Sequence, residues 1–107
     1  MESAFVKIII YVPETHAEIV RQAMGNAGAG KIGNYSFCSF SSKGIGRFIP
    51  HEGAKPFLGE VGKTEEVAEE KIEVICPREI AGQVIEAIKK SHPYEEPAYE
   101  IIPLLKV

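Results

Sequence analysis

The spacing of apolar residues divides the chain into alternating strand and helix segments. Residues 5–12 form an apolar, β-branched run that is closed by a proline, which predicts a strand buried on at least one face. Apolar residues then recur at helical spacing across residues 19–27 and stop at Gly28, which predicts the first helix. Thr15 and Glu18 have the spacing of a capping box at its start.

The same order of strand, proline and helix recurs later in the chain, after one further strand. The aromatic-rich residues 35–40 predict a second strand, which we expect to continue through a turn into residues 47–49. Residues 69–76 predict a third strand, also closed by a proline. Apolar residues at helical spacing then predict a second helix over 80–91, and residues 99–105 form a last strand and tail.

Residues 42–65 form a long excursion between the second and third predicted strands. From position 50 onward this segment carries glycines and prolines at short intervals, a composition that cannot hold a helix or a long strand. A long ordered connection in a small domain is more often functional than not. We therefore expect a single domain over residues 1–107 that meets a small ligand or a protein partner through residues 42–65.

An internal repeat sets the topology. Sliding the chain along itself by 64 positions aligns apolar residues, alanines and a proline of the two halves: Ile8 with Ile72, Ile10 with Val74, Pro13 with Pro77, Ala17 with Ala81 and Val20 with Val84. Two copies of strand, proline and helix, each followed by a further strand, give the order β-α-β-β-α-β. This order predicts an α+β, ferredoxin-like split βαβ fold, in which two helices cover one face of an antiparallel sheet.

The two faces of that sheet differ in what they contact. Because strand side chains alternate, one set of residues should point toward the helices: Ile8, Ile10, Val12, Ile72, Val74 and Cys76. The opposite face then carries Phe5, Ile9, Tyr11 and Ile75, interspersed with Lys7 and Glu73. An apolar patch of this kind usually marks a contact site. We therefore expect a homo-oligomer that associates through the open face of the sheet.

Composition and charge exclude several classes of function. A net charge of −3 without a cluster of Lys or Arg argues against nucleic-acid binding. The longest apolar run, residues 8–12, is too short to span a bilayer, and no leader pattern is present, so we expect a cytoplasmic protein without a membrane partner. The two cysteines are far apart, which excludes zinc ribbons and redox CxxC motifs. Without any Asp, a Ser-His-Asp triad is impossible, and a non-enzymatic role is favoured.

The densest chemistry lies in residues 92–99, which combine an imidazole, two carboxylates, two phenols and two prolines. The prolines favour an extended peptide that ends the second helix and leads into the last strand. Alternatively, His92 with Glu95 and Glu96 could ligate a divalent metal ion such as zinc or copper. In an extended peptide the two glutamates face opposite ways, so a complete ligand set would need help from another loop or subunit. Both interpretations stay open.

Four segments together resemble a known protein domain: residues 27–40, 44–50, 56–62 and 92–99. They closely resemble the middle insertion domain of YqfO-type proteins, the family long labelled GTP cyclohydrolase I type 2 homologues. The resemblance implies a ferredoxin-like fold similar to the PII signalling proteins and to the CutA divalent-cation-tolerance proteins, both of which are trimers. In PII proteins the connection between the second and third strands carries the effector and partner loop.

The resemblance also limits what can be transferred. Full-length members of the family hold a two-metal site in the flanking parts of their chain, and none of His16, His51 and His92 matches that pattern. The chain therefore looks like a free-standing version of the insertion domain. We expect a non-enzymatic, oligomeric module for ligand sensing or protein interaction. The alternatives are a CutA-like divalent-metal-binding protein and, from the family label alone, a hydrolase.

Overall fold

A four-stranded antiparallel sheet and two helices make up the fold, which a computed structural model describes for residues 3–105. The strands and helices in chain order are β1 (Phe5–Pro13), α1 (Ala17–Asn26), β2 (Phe40–Phe48), β3 (Glu65–Pro77), α2 (Ala81–Ser91) and β4 (Tyr99–Leu104). The strand order across the sheet is β2-β3-β1-β4, and each neighbouring pair is antiparallel. The predicted ferredoxin-like α+β fold is therefore confirmed.

The internal repeat is reproduced in the backbone. Pro13 ends β1 with φ −54° and ψ 141°, and its equivalent Pro77 ends β3 with φ −57° and ψ 140°. A single 3-10 turn follows each proline, Glu14–His16 and Arg78–Ile80, before the helix begins. Proline suits this position because its fixed φ fits both an extended residue and the entry to a helical turn. Each half of the chain thus turns from strand to helix in the same way.

The core lies between the two central strands and the two helices. The six strand residues predicted to point toward the helices are each at most 5% exposed. Both helices contribute fully buried side chains to the same cluster: Val20, Met24, Val84 and Ile88. The alternation of apolar residues in β1 and β3 therefore gave the correct buried face.

The second strand begins later than predicted. Residues 35–39 are irregular, apart from an isolated bridge between Ile32 and Tyr35, and β2 starts at Phe40. The backbone explains this, because Phe37 has a φ of 58° and Gly30 donates its N–H to the carbonyl of Ile75 at 2.8 Å. Cys38 in turn donates its N–H to the carbonyl of Gly30 at 2.9 Å, so this segment bonds to the preceding loop, and pairing with β3 begins only at Phe40.

The excursion predicted at residues 42–65 is shorter than expected, because β2 continues to Phe48 and pairs with β3 from Glu65 onward. Only residues 49–64 connect the two strands without regular structure. Gly44 and Gly46, which fall inside the predicted excursion, lie within an edge strand. Glycine in a strand often marks a close approach by another group, and Gly46 is such a position.

The predicted capping box is wrong. The helix α1 begins at Ala17, one turn of 3-10 helix after Pro13, and no side chain caps its first residues. Thr15 instead contacts Nδ1 of His16 at 2.9 Å, and Glu18 forms an ion pair with Arg21. Within residues 3–105, neither helix has the length and apolar character needed to cross a membrane.

Candidate functional site

A cleft of about 430 Å³ opens at the end of the sheet where β1 ends and β3 begins. It lies between β2, the connection 49–64 and the peptide 94–98. The lining is mostly apolar and aromatic, with a few charged groups: Tyr11, Gly46, Arg47, Phe48, Pro50, Ala54, Pro56, Phe57, Leu58, Glu69, Tyr94, Glu95, Glu96 and Ala98. Small-molecule sites in proteins typically combine this size and composition.

Unequal strand lengths create the cleft. The pairing of β1 with β3 ends at Pro13 and Glu69, so residues 65–68 of β3 pair with β2 alone. The two-stranded extension carries the connection 49–64, which is closed at its root by a 2.8 Å hydrogen bond from Gly62 N–H to the carbonyl of Pro50. The connection and the peptide that follows α2 therefore form opposite walls.

His92 ties the end of α2 to β1 beneath this cleft. Its Nδ1 accepts a hydrogen bond from the backbone N–H of Tyr94 at 3.1 Å, and its Nε2 lies 2.7 Å from the carbonyl oxygen of Tyr11. Because a carbonyl only accepts, Nε2 carries the proton and the ring is neutral. Burial lowers the pKa of His92, while the bond to the Tyr11 carbonyl opposes that shift. His92 is therefore a neutral structural link and is only 7% exposed.

Tyr94, whose N–H bonds to His92, extends its side chain into the lining of the cleft. Its hydroxyl donates to Oε2 of Glu69 at 3.0 Å, and its ring packs edge-on against Phe48 with centroids 5.6 Å apart. Burial raises the pKa of the Tyr94 phenol, and the hydrogen bond and negative charge of Glu69 raise it further. The phenol thus stays protonated and acts as a neutral donor to the carboxylate.

Gly46 allows the Glu69 carboxylate to take this position. A Cβ atom at Gly46 would lie 2.2 Å from Oε1 of Glu69, whereas a Cβ atom at Gly44 would meet nothing within 4 Å. Sequence reasoning missed Glu69 as a candidate residue. A signal for Glu69 does exist in the sequence: Gly46 lies in a strand that neighbours a glutamate-rich strand. A glycine in such a position indicates that a side chain from the neighbouring strand lies against its backbone.

The structure does not gather the three predicted metal ligands into one site. Both ring nitrogens of His92 already bond to backbone groups, and Oε1 of Glu95 accepts a 2.8 Å hydrogen bond from the N–H of Lys55. Glu96 is exposed at the cleft. Across residues 3–105, no three His, Cys, Asp or Glu side chains are placed to hold a metal ion. A metal site built on His92, Glu95 and Glu96 stays a prediction.

The charges around the cleft are unbalanced. Three carboxylates, Glu69, Glu95 and Glu96, line it together with a single guanidinium, that of Arg47. Nε of Arg47 donates to Oε2 of Glu66 at 2.7 Å, so its charge is shared with a carboxylate outside the lining. An aromatic and apolar cleft with excess negative charge can accept a ligand that has both an apolar body and a positive group.

Comparisons with known proteins identify relatives of the whole described fold. No protein-family model matches the chain. The GTP cyclohydrolase 1 type 2 homolog of Bacillus subtilis is 56% identical over 98 residues, which are 92% of this chain and 26% of that protein. The corresponding protein of Mycobacterium tuberculosis is 48% identical over 99 residues. The chain thus spans about a quarter of the length of the curated relatives that it matches.

Solved structures agree with these relatives. The Bacillus cereus protein related to NIF3 superposes with a TM-score of 0.82 at 48% identity, covering 97% of this chain and 26% of that one. The periplasmic divalent cation tolerance protein CutA of Archaeoglobus fulgidus has a TM-score of 0.70 at 21% identity, covering 96% of this chain and 86% of that one, and shows the fold alone. The resemblance predicted from the sequence is confirmed: this chain is homologous to a ferredoxin-like segment of the GTP cyclohydrolase 1 type 2 homologues, the NIF3/YqfO proteins.

Proposed function

We propose that this chain is a non-enzymatic module that senses a small ligand, or engages a protein partner, through the cleft beside the connection 49–64. The observation that carries the proposal is a hydrogen bond between the two walls of the cleft. The Glu95 carboxylate accepts the backbone N–H of Lys55, so one hydrogen bond joins its two walls. A ligand that enters between the two walls would move the connection 49–64. A protein partner that contacts this connection would respond to the movement.

The titratable groups at the cleft favour sensing over catalysis. Tyr94 is held as a neutral phenol, and His92 uses both ring nitrogens to bond the backbone. Neither group is poised to transfer a proton near neutral pH.

A hydrolase activity, suggested by the name of the longer relatives, is the third candidate, because the chain spans about a quarter of those proteins.

A CutA-like divalent-metal-binding protein is the second candidate. It is favoured by the fold shared with the divalent cation tolerance protein of Archaeoglobus fulgidus and by two exposed carboxylates, Glu95 and Glu96, close in sequence to His92. Zinc or copper retained after purification without chelators, and lost in His92→Ala or Glu96→Gln, would support this candidate. Metal bound equally by these variants would place it elsewhere.

We further propose that the module forms a homo-oligomer, with a trimer as the expected state, through the open face of the sheet. Lys7 and Glu73 form a 3.3 Å ion pair there, and apolar residues pair with them across the strands: Ile75 and Ile102 with Lys7, and Ile9 with Glu73. Ile9 is only 5% exposed within one chain, whereas Ile102 of β4, which pairs with Lys7, is 43% exposed. Ile102→Glu is therefore a better probe than a substitution at Ile9: it places a negative charge on the open face of the sheet, beside Lys7, with which Ile102 is paired. Light scattering should show an oligomer for the wild type and a smaller species for the variant.

The sensing proposal is tested by thermal melts against nucleotides, amino acids, amines and sugar phosphates. A ligand of the cleft should raise the melting temperature of the wild type and of Phe40→Ala, but not of Phe57→Ala. Both phenylalanines are exposed, at 67% and 49%, and only Phe57 lines the cleft. Stabilisation of Phe57→Ala by the same ligand would contradict the proposal. The proposal would also be contradicted if no compound raised the melting temperature of the wild type and none changed the amide hydrogen exchange of residues 49–64.

A further inference from the structure

We propose that the cleft selects a small organic cation, an ammonium group carried on a compact apolar body. This inference deepens the proposed function and rests on the cleft being a ligand site. It follows from two separate features of the lining: its carboxylates form no ion pairs with described side chains, and its aromatic rings are arranged around the cavity.

The cleft carboxylates form no ion pair with a Lys, Arg or His side chain of residues 3–105. Glu69 is bonded by the neutral phenol of Tyr94, and Glu95 by the neutral backbone amide of Lys55. Ion pairs elsewhere in residues 3–105 engage several other glutamates but none of the cleft carboxylates. Glu69 is half-buried, and Glu95 and Glu96 lie exposed at the rim. Carboxylates that face an apolar cleft without a cationic partner favour a cation over a neutral or anionic ligand.

The aromatic rings supply a second preference for a cation. Phe48 and Tyr94 meet at an interplanar angle of 67°, so the two rings form a corner, and Tyr11 and Phe57 also line the cleft. The faces of aromatic rings carry negative potential, and several rings around one cavity are the usual environment of quaternary ammonium groups. The walls therefore suit an ammonium ion with apolar substituents better than a hydrated metal ion.

Anionic ligands fit the same walls poorly. The single guanidinium of the lining, that of Arg47, donates to Glu66 at 2.7 Å and its side chain is 61% exposed. A phosphate in the cleft would meet three carboxylates and one cation that is already engaged. Nucleotides and sugar phosphates are therefore expected to bind less well than amines.

Choline and its neutral isostere 3,3-dimethyl-1-butanol form the test, because they differ mainly in one positive charge. Ligand-observed NMR titrations should show choline binding to the wild type at least about tenfold more tightly than the alcohol, as a desolvated cation–π contact predicts. Glu69→Gln, which keeps the shape of the side chain, should weaken choline binding about tenfold, and Phe48→Leu should weaken it by a similar factor. Glu60→Gln is the matched control, since Glu60 pairs with Lys63 and lies outside the lining, and it should bind as the wild type does.

The outcomes separate this inference from the proposed function. Equal binding of choline and the alcohol, or unchanged binding by both Glu69→Gln and Glu96→Gln, overturns the choice of a cation. No binding of choline, tetramethylammonium or agmatine at millimolar concentration overturns it as well. If a nucleotide instead stabilises the wild type but not Phe57→Ala, the sensing proposal stands while the inference fails. Circular dichroism of each variant confirms that a loss of binding is not a loss of fold.

Discussion

Nε2 of His92 donates to the backbone carbonyl oxygen of Tyr11 at 2.7 Å, and this contact joins two positions that are 81 residues apart. The bond fixes the peptide after α2 against the end of β1, just below the cleft. Because Nδ1 of the same ring accepts from the N–H of Tyr94, a single imidazole satisfies two backbone groups. The histidine that seemed chemically prominent in the sequence thus has a structural task, and its environment leads to two predictions.

His92→Ala should lower the free energy of unfolding by about 2–4 kcal/mol, because it leaves a cavity and two backbone groups without partners. The side chain of His92 is buried, so the loss should exceed that of a surface substitution. His51→Ala is the control: His51 is exposed, and its replacement should change stability by less than about 0.5 kcal/mol. Urea unfolding of both variants measures the difference, and similar values for the two would contradict the structural role.

The stability should also fall as the solution becomes acidic. The pKa of His92 is lowered in the folded state by burial, so the unfolded chain binds the proton more readily. The contribution is fully present above the unfolded pKa of about 6.5 and is lost as the pH falls below it, toward the folded pKa. Urea unfolding at pH 7.5, 6.5 and 5.5 should show this decline in the wild type and in His51→Gln. A decline of the same size in His92→Gln would assign it to other groups.

The fold could be predicted from the sequence because its determinants are local and repeated. The apolar alternation in β1 and β3 identifies one buried face, and Pro13 with Pro77 marks the two strand ends in equivalent positions. The backbone angles of these prolines agree within a few degrees, as an internal repeat predicts.

The candidate site could be predicted only in part, because its contacts are distant in sequence. Four residues of the segment 92–99 line the cleft, Tyr94, Glu95, Glu96 and Ala98. The partner of Tyr94, however, is Glu69, 25 positions away, and nothing in the local pattern distinguishes Glu69 from its glutamate neighbours. The glycines of β2 fell inside the predicted excursion 42–65, because glycine weakens a strand and is uncommon within one. In the structure Gly46 is part of an edge strand and makes room for that carboxylate.

Gly30 should be the least replaceable glycine of the segment that precedes β2. Its φ is +84°, and a Cβ atom there would lie 2.5 Å from the backbone oxygen of Cys38. Gly30→Ala should therefore destabilise by about 3 kcal/mol or more, because both strain and a backbone clash oppose it. Gly33 also has a positive φ, +57°, but a Cβ atom there meets nothing within 4 Å. Gly33→Ala should cost about 1 kcal/mol, and equal losses for the two in urea unfolding would argue against the close approach of residue 38.

Gly46→Ala and Gly44→Ala form a matched pair that tests how the cleft is built. Both glycines lie in β2, but only a Cβ atom at position 46 would overlap the Glu69 carboxylate. The overlapping atoms are the far end of a flexible side chain, so the backbone should hold while the carboxylate moves away from Tyr94. Gly44→Ala measures the increase in the free energy of unfolding that is usual when alanine replaces glycine in a strand, which is about 0.5–1 kcal/mol.

Relative to Gly44→Ala, Gly46→Ala should be less stable by about 1 kcal/mol, the usual contribution of a hydrogen bond that solvent can partly replace. In a Tyr94→Phe background the difference between the two alanine variants should shrink, because the bond to Glu69 is already absent. Urea unfolding of the four proteins measures this coupling. An undiminished difference would mean that Gly46 is needed for the strand itself, whereas a reduced one would show that Gly46 matters because it places the Glu69 carboxylate under the Tyr94 hydroxyl.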